Sequence, residues 1–295
     1  MTSTDYTAQS FTTIIVSAPT PSGVTTVLLN RPTQLNSFNH AVTRDLQLAF
    51  NLLSEDERVR CIILTGAGRA FCAGADLSTG TLESDKPVLE HRDEGGQVVL
   101  SIHRCKKPVI AAINGPAVGI GITMTLPCTI RLTHKQAKIA FPFVQRGIVP
   151  EAVSSWFLPR LIGHSRALHI LTTGEVLPGG HRLLDGLFSE VLEGPEEVVR
   201  RANEIAEVIA TKTSAVSNYL TKAMLWHQKE TPEETHLLDS RIMAELYQGA
   251  DKKEGIQSFM EKRPPKFTGS VEKDLPSNVP WWNEVDTRFR KQSKL

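Results

Sequence analysis

Two glycine-containing segments carry the residues best suited to chemistry. Residues 113–121 read Ile-Asn-Gly-Pro-Ala-Val-Gly-Ile-Gly, and residues 60–77 end in Phe-Cys-Ala-Gly-Ala-Asp-Leu. Each segment predicts an apolar strand, a loop of small residues, and then the start of a helix or turn. Backbone N–H groups at a helix start have no partner within the helix, so they can stabilise negative charge developing on a ligand. Taken alone, the first segment is equally typical of a packing turn.

One carboxylate stands in a promising position, Glu151, within the segment Pro-Phe-Val-Gln-Arg-Gly-Ile-Val-Pro-Glu-Ala-Val-Ser-Ser of residues 142–155. A carboxylate can remove a proton and return it. Spacing alone favours a structural interpretation, because Pro150 followed by an acid is typical of the first turn of a helix. A helix N-terminus would lower the pKa of Glu151, whereas apolar neighbours such as Phe143 and Val149 would raise it. The sequence leaves that balance open.

Other reactive groups fit a catalytic or metal site less well. The four cysteines lack C-x-x-C pairing and a histidine at metal-ligand spacing, so we expect reduced, mostly buried thiols and no metal. They are Cys61, Cys72, Cys105 and Cys128. The glycine loop of residues 66–71 carries Phe71 where a dinucleotide-binding loop needs a small residue. We therefore expect no metal or redox cofactor.

The composition is that of an ordinary soluble globular protein. The 295 residues are 40% hydrophobic and 22% charged, with a formal net charge of +1. No basic run is long enough to predict nucleic-acid binding. Residues 1–9 lack the apolar core of a signal peptide. The charge-free run of residues 108–130 contains Asn114, Pro116 and Pro127, which make a membrane span a poor interpretation.

The order of apolar runs predicts an α/β protein. Residues 11–16 and 24–29 predict a β-hairpin, and Asn39 is a good N-cap for a helix reaching about Leu53. Further strands are predicted over residues 58–65, 109–114, 130–133 and 139–141. Further helices are predicted over residues 98–104, 120–126, 152–158, 165–171, 195–210, 214–226 and 232–247. This alternation favours largely parallel pairing. The polar, acidic residues 78–96 predict a mobile loop beside the site.

Together, the two glycine segments resemble those of the enoyl-CoA hydratase/isomerase (crotonase) family. In that family each segment supplies one backbone N–H to an oxyanion hole for an acyl-CoA thioester. By position, the donors here are Ala75 and Ile120. The resemblance implies a crotonase-like spiral of ββα units with a helical C-terminal region. It also implies an acyl-CoA substrate, with coenzyme A as part of the substrate and no separate cofactor.

The resemblance covers roughly residues 11–267 and implies further substrate-binding residues: Ala73, Gly74, Ala75, Asp76, Leu77, Gly119, Phe143 and Lys262. The last of these lies in a closing segment, residues 254–263, that resembles the family pattern E-G-I-x-x-F-x-x-K-R. In the family this region covers the coenzyme A site and mediates trimer contacts, so a homotrimer or hexamer is implied. Arg263 is a second candidate for phosphate contact. The predicted organisation is a flexible N-terminus (1–10), an α/β core (11–205), a helical trimerisation region (206–267) and a tail outside the main fold (268–295).

The acid/base group separates the reactions of the family. Hydratases resemble one another in two glutamates, whose positions here hold Thr123 and Phe143. Residues 142–155 instead resemble the single-glutamate Δ3,Δ2-enoyl-CoA isomerases of peroxisomes, which implies that Glu151 moves a proton between the alpha and gamma carbons. Two alternatives stay open. One is a hydratase or other lyase that takes its second acid from residues 78–96, and the other is a non-catalytic acyl-CoA-binding protein.

The chain ends in Ser293-Lys294-Leu295, which matches a peroxisomal address read by an import receptor. Three residues can match by chance, but these stand at the one position where the signal is read. The sequence therefore predicts a peroxisomal location.

Overall fold

The computed structural model of this chain describes residues 5–6, 9–79 and 87–287. Within these residues the chain forms nine strands and nine α-helices. The strands are β1 (Ile14–Val16), β2 (Val24–Leu29), β3 (Cys61–Gly66), β4 (Val109–Ile113), β5 (Ala117–Val118), β6 (Ile130–His134), β7 (Lys138–Ala140), β8 (Val176–Pro178) and β9 (Glu190–Leu192). The helices are α1 (His40–Glu55), α2 (Glu94–Arg104), α3 (Ile120–Thr123), α4 (Ser154–Ile162), α5 (His164–Thr173), α6 (Pro195–Lys212), α7 (Ala215–Trp226), α8 (Pro232–Leu246) and α9 (Ala250–Met260).

Six strands form the main sheet, in the order β1-β2-β3-β4-β6-β9. The first pair is antiparallel and every other neighbouring pair is parallel. Every residue of β3 and β4 is buried, as expected for a parallel sheet that is covered on both faces. The predicted hairpin, the α/β class and the largely parallel pairing are therefore confirmed. A second, smaller sheet contains β5, β7 and β8.

Helices cover the main sheet on both faces because its side chains alternate in direction. Ile62 packs in the same core as Phe50 of α1, whereas Ile63 packs on the opposite face. There, Ala202 and Ala206 of α6 lie one turn apart and bring the helix close to the sheet. The sheet is thus a rigid platform, and the glycine segments extend from the carboxyl ends of its two central strands.

Several predicted bounds differ from the structure. The first strand begins at Ile14 and not at residue 11, and the helix predicted over 120–126 is the single turn α3. The segment 115–119, predicted as a tight turn, contains β5. The helix predicted from residue 98 begins four residues earlier because the side chain of Asp93 caps it. The polar loop predicted over 78–96 is therefore shorter, and its residues 80–86 lie outside the described part.

The C-terminal region differs most from the predicted organisation. The boundary predicted between residues 205 and 206 falls inside the continuous helix α6. The predicted tail is also part of the fold as far as it is described. Trp281 packs in the small core of α7 and α8 and donates from Nε1 to the carbonyl of His227 at 2.9 Å, and Trp282 stacks on the His227 ring. The terminal Ser293-Lys294-Leu295 lies outside the described residues.

Two other expectations concern the cysteines and the membrane. All four cysteines are buried and reduced, which confirms that prediction. Burial raises the pKa of the thiols of Cys61, Cys72 and Cys128 to about 12, so they are neutral at physiological pH. Within the described ranges, none of the helices is both long and apolar enough to cross a bilayer.

Candidate active site

The two glycine segments interlock at the carboxyl ends of β3 and β4. Cys72 and Ala117 form a parallel bridge, in which Cys72 N–H donates to Pro116 at 3.0 Å. Glycine is required at position 121, where the two segments touch. A Cβ on Gly121 would lie 2.1 Å from the Cys72 carbonyl oxygen, well inside van der Waals contact. The two turns therefore pack backbone against backbone.

The side chain of Asn114 links the second glycine segment to the backbone of the first. Its side-chain amide donates to the carbonyls of Gly66 and Gly68 at 2.8 and 3.1 Å, and its oxygen accepts from the Gly66 N–H at 3.2 Å. The side chain is buried, so these bonds satisfy polar groups that would otherwise be costly to bury. Asn114 is thus a structural link between the two turns.

The predicted oxyanion donors occupy equivalent positions in the two turns. Ala75 follows Gly74, whose φ is +104°, and Ile120 follows Gly119, whose φ is +55°. Both glycines adopt a backbone conformation that residues with a side chain rarely take. In the part of the chain described, no backbone hydrogen bond outside the helices and strands uses the N–H of Ala75 or Ile120, and Ile120 opens α3, where the helix offers its N–H no acceptor. Both N–H groups thus remain available to a ligand oxygen.

Glu151 does not begin a helix, which corrects the structural interpretation of Pro150 and Glu151. Helix α4 starts only at Ser154, and the two residues between have left-handed backbones, with φ of +53° at Ala152 and +56° at Val153. Such conformations are unfavourable, above all for a β-branched residue. The turn is closed by Ser154, whose N–H and hydroxyl donate to the Glu151 carbonyl at 3.0 and 2.6 Å. This turn directs the Glu151 side chain inward.

The Glu151 carboxyl group lies between three elements. Its Oε1 accepts a 2.9 Å hydrogen bond from the hydroxyl of Thr123 in α3. Its Oε2 lies against Gly95 in α2. If Gly95 carried a Cβ, that atom would lie only 2.2 Å from Glu151 Oε2 and 2.7 Å from Cδ1 of Ile120. The Glu151 carboxyl group and the Ile120 side chain therefore both border Gly95 on the side where a Cβ would stand. The roles of Glu151 and Ile120 in catalysis stay predictions.

Burial is the main cause that raises the pKa of Glu151, to about 8. The charge of Asp93 raises it further, while the hydrogen bond from Thr123 lowers it. The sequence alone could not show whether the pKa of Glu151 is raised or lowered, and in the structure it is raised. Of the predicted apolar neighbours, Phe143 is buried, whereas Val149 is 76% exposed and cannot contribute.

The remaining predicted substrate-binding residues have different surroundings. The Phe143 ring lies beside Gly119, 3.9 Å from where a Cβ would stand. Asp76 is ion-paired with Arg31 at 2.9 Å, and this pair and the Ser78 hydroxyl lower its pKa to about 2. The carboxylate of Asp76 therefore serves the loop structure. Its neighbour Leu77 is 65% exposed.

Some N–H groups of the first glycine segment are used in hydrogen bonds within the protein. Ala73 donates to Leu35, and Asp76 donates to Phe38. Gly74 accepts from Phe38 through its carbonyl. Ala75 therefore lies between two groups that are already hydrogen-bonded, the carbonyl of Gly74 and the N–H of Asp76. Its own N–H donates to no backbone carbonyl outside the helices and strands of the described residues.

The basic residues predicted to contact phosphate lie at the end of α9. Lys262 is exposed, with φ of +54°. Arg263 forms ion pairs with Glu254 and Glu261, both at 2.6 Å. Contact of Lys262 or Arg263 with phosphate stays a prediction. No hydrogen bond or ion pair of the described residues joins this segment to Glu151.

Two residues of the site were not singled out by the sequence, Asp93 and Gly95, although both lie in the segment 78–96 from which the hydratase alternative takes its second acid. Asp93 accepts from the N–H of Ala152 at 2.7 Å, and Gly95 borders the carboxyl group. The signals were present: an Asp before the periodic residues Val98 and Ile102 is typical of an N-cap, and a glycine within a helix indicates a close approach. What they approach could not be read from the sequence.

Two cavities lie away from this carboxylate. One of about 750 Å³ and another of about 600 Å³ share Lys222 and Trp226 as lining residues, and Glu151 lines neither of them. Among residues 5–6, 9–79 and 87–287, no cluster of three or more His, Cys, Asp or Glu side chains could hold a metal ion. The groups predicted to act on a substrate here are the Glu151 carboxyl group and the backbone N–H groups of Ala75 and Ile120.

This set of groups is suited to proton transfer beside a carbonyl. Two N–H groups can stabilise the oxyanion of an enolate. A carboxyl group with a pKa near neutrality can take a proton and return it with little energetic penalty in either direction.

Comparison with known proteins agrees with the predicted resemblance. The chain matches the family model described as Enoyl-CoA hydratase/isomerase over residues 19–270. It is 44% identical over 274 residues to enoyl-CoA hydratase AFT3-1 of Alternaria alternata, covering 93% of each chain. It is 33% identical to 1,2-epoxyphenylacetyl-CoA isomerase of Escherichia coli strain K12, covering 84% of this chain and 95% of that protein.

The fold has close counterparts among solved structures. An enoyl-CoA hydratase from Bacillus anthracis superimposes with a TM-score of 0.81 at 31% identity, covering 88% of this chain and 100% of that one. A probable enoyl-CoA hydratase/isomerase from Mycobacterium abscessus gives 0.80 at 32% identity, covering 87% and 100%. These matches confirm the predicted crotonase-like fold. This chain belongs to the enoyl-CoA hydratase/isomerase family.

Proposed function

We propose that this protein converts 3-enoyl-CoA to trans-2-enoyl-CoA, with Glu151 as its single acid/base group. The carboxylate removes a proton from the alpha carbon, and the electrons move onto the thioester oxygen. The N–H groups of Ala75 and Ile120 stabilise that oxyanion. Glu151 then returns the proton to the gamma carbon, and the double bond moves into conjugation. The observation that carries the proposal is that the Glu151 carboxyl group accepts a hydrogen bond from Thr123 and borders Gly95 on the same side as the Ile120 side chain.

The proposal rests on how few acidic groups of residues 5–6, 9–79 and 87–287 reach this position. Hydration needs a positioned water and a proton donor, whereas a proton shuttle along one face needs one base. The second nearby carboxylate, Asp93, accepts three backbone hydrogen bonds. These bonds engage both oxygens of Asp93 in holding the backbone. Thr123 and Phe143 stand at the positions of the hydratase glutamates and cannot replace them.

The test is to supply 3-enoyl-CoA and 2-enoyl-CoA separately to the wild-type enzyme and to Glu151→Gln. We expect rapid conjugation of the 3-enoyl substrate and little water addition to the 2-enoyl one. In Glu151→Gln we expect conjugation to fall by about 10³-fold or more, because the variant keeps the shape and hydrogen-bonding capacity of the site but has no base. Rapid formation of 3-hydroxyacyl-CoA by the wild type would overturn the proposal.

Hydration of 2-enoyl-CoA is the second candidate. It is favoured by the names of the relatives, since three proteins of Alternaria alternata that are 43–44% identical to this chain are called enoyl-CoA hydratases. The same two substrates decide between the reactions. If both substrates bind and neither changes, the non-catalytic acyl-CoA-binding alternative is favoured.

We also propose that the protein acts in fatty-acyl metabolism in peroxisomes, as a homotrimer or hexamer. The terminal Ser293-Lys294-Leu295 supports the location, and its test is the distribution of a fluorescent fusion with and without those residues. The exposed apolar residues Ile256, Phe259 and Met260 of α9 support the assembly. Sedimentation equilibrium tests it, and a monomer at micromolar concentration would contradict it. No separate cofactor is proposed, because coenzyme A enters as part of the substrate.

A further inference from the structure

Asp93 joins the start of α2 to the backbone that follows Glu151. Its Oδ1 accepts from the N–H of Gly95 at 3.1 Å, and its Oδ2 accepts from Gly96 at 2.8 Å and from Ala152 at 2.7 Å. The first two bonds are an ordinary helix N-cap. The third is not, because it crosses 59 residues of sequence to the residue directly after Glu151. One carboxylate therefore serves two elements.

The backbone held by Asp93 is strained. Ala152 and Val153 are both left-handed, and each such residue costs on the order of 1 kcal/mol or more. A left-handed pair without glycine persists only when its surroundings hold it. The bond from Ala152 N–H to Asp93 holds it on one side, and the bonds from Ser154 to the Glu151 carbonyl hold it on the other. Without the first, this turn has less to keep it from relaxing.

The Glu151 carboxyl group fits tightly against Gly95. The carboxyl group is closer to Gly95 than any side chain there would permit, and Gly95 is the second residue of the helix that Asp93 caps. Any shift of α2 relative to residues 151–153 therefore moves Glu151 relative to Ile120. The geometry makes the distance between the base and the oxyanion donors depend on Asp93.

We propose that Asp93 is a positioning residue for Glu151, whose carboxylate fixes the strained turn after Glu151 to the first turn of α2 and so places the base beside the acyl alpha carbon. The statement about the alpha carbon rests on the proposed function. The statement about the position and charge of Glu151 does not, and it can be tested without substrate.

Few charged groups face Glu151 among the residues that the structure describes. Asp93 faces it from α2 and raises the pKa of Glu151. Cys72 faces it from the first glycine segment, and its buried thiol is neutral. Thr123 of α3 does not titrate. Glu94, next to Asp93, is instead turned to His40 and Thr43, at 2.7 and 3.0 Å. Asp93 is therefore the charge to change, and Glu94 is its matched control.

Three variants separate capping from positioning. Asp93→Ser keeps a good N-cap but is too short to reach Ala152. Asp93→Asn keeps the length and loses the charge. Glu94→Gln removes a charge from the same turn without touching Glu151. Thermal unfolding of all three checks that they fold. Asp93→Ser is expected to fold but to unfold at a lower temperature than the wild type, because the cap is retained while the N–H of Ala152 loses its partner.

The first readout is the titration of the Glu151 carboxyl group by infrared difference spectroscopy, with Glu151→Gln used to identify its band. In Asp93→Asn we expect the midpoint to fall by about one pH unit, because a like charge has been removed. Glu94→Gln is expected to leave it unchanged. An unchanged midpoint in Asp93→Asn overturns the proposal, whatever reaction the enzyme catalyses.

The second readout is turnover of 3-enoyl-CoA. Asp93→Ser is expected to lower kcat by about tenfold or more with KM within about twofold, because misplacing the base affects the chemical step. Full activity in Asp93→Ser shows that Asp93 is only a helix cap and overturns the proposal. If the infrared midpoint shifts but no variant and no wild type converts 3-enoyl-CoA, the positioning role stands and the proposed function fails.

Discussion

At the scale of single residues, the site depends on a carboxyl group that is mostly protonated at pH 7. Burial and the charge of Asp93 raise the pKa of Glu151 to about 8. This costs stability, because the unfolded chain ionises near the ordinary value of 4.5 while the folded protein keeps the proton. It benefits a proton shuttle, because a base that must also return its proton works best with a pKa near the operating pH.

The pH dependence of stability tests this directly. Below about pH 4.5 both the folded and unfolded states are protonated at this position, and Glu151 costs nothing. Between there and about pH 8, folding takes up a proton, so the free energy of unfolding falls as pH rises. Glu151→Gln lacks this dependence. We expect the variant to gain on the order of 3 kcal/mol over the wild type between pH 5 and pH 8.5, measured by urea unfolding.

The control for that measurement is Glu230→Gln, at an exposed position. Its difference from the wild type is expected to be the same at both pH values. A constant difference for Glu151→Gln as well would mean that Glu151 titrates as an ordinary exposed carboxyl group, contrary to the structure.

The hydrogen bond from Thr123 opposes the effect of burial and of Asp93 on the pKa of Glu151. The Thr123 hydroxyl donates to Glu151 Oε1, and this bond lowers the pKa of Glu151. In Thr123→Val, which has nearly the same shape, we expect the pKa to rise further. Activity on 3-enoyl-CoA at pH 7 should then fall by about 3- to 10-fold and recover partly at higher pH. The measurement is the pH profile of kcat/KM.

The matched control is Thr125→Val, two residues further on. Thr125 is equally buried, but its hydroxyl donates to the Ile122 carbonyl and not to Glu151. Its pH profile is expected to keep the wild-type midpoint. A loss of activity in Thr123→Val that is the same at every pH would point to altered packing and against the hydrogen bond.

At the scale of elements, the site depends on the backbone contact between two glycine turns. β3 and β4 are adjacent parallel strands, so the turns after them leave the same edge of the sheet. Glycine at position 121 then allows the turns to touch. The predicted oxyanion donors, Ala75 and Ile120, thus lie in turns that can touch because glycine has no side chain.

Gly121→Ala tests that contact. The added methyl group would lie 2.1 Å from the Cys72 carbonyl, so the turns must separate. We expect stability to fall by about 2 kcal/mol and kcat to fall by about 10²-fold, because one oxyanion donor moves away. Gly194→Ala is the control, since nothing lies within 4 Å of a Cβ there. Wild-type activity in Gly121→Ala would show that the contact does not position the donors.

At the scale of the whole molecule, α2 connects the C-terminal helices with the site. Its first turn borders Glu151, and its last carbonyls, those of Ile102 and Cys105, accept from Lys222 Nζ of α7 at 3.3 and 2.9 Å. A cation at a helix C-terminus satisfies carbonyls that have no partner within the helix. Burial lowers the pKa of Lys222. The C-terminal region is therefore attached to the helix whose first turn borders Glu151.

Lys222→Met removes this attachment while keeping most of the apolar stem. We expect the free energy of unfolding to fall by about 1–3 kcal/mol, because the two carbonyls of α2 lose their buried partner. Urea unfolding measures this, with the exposed Lys229→Met as the control. Equal stabilities of the two variants would mean that the bonds from Lys222 contribute nothing.

Much of the fold and part of the site followed from local sequence. Alternating apolar runs predicted the parallel sheet, and Asn39 was correctly placed as the cap of α1. The glycine segments predicted the two turns. Helix starts were less well predicted, because side chains from distant residues decide them. Asp93 extends α2 by four residues, and the strained turn after Glu151 delays α4.

The sequence by itself determined the family, the glycine turns and the single candidate carboxylate, because these depend on residue types at short spacing. Only the tertiary structure decided that Glu151 meets Thr123 and Gly95, that Asp93 holds the backbone beside it, and that its pKa is raised. These are properties of groups brought together from 28 and 59 residues away. Burial and the field of a neighbouring charge depend on distance in space, and no local pattern encodes that distance.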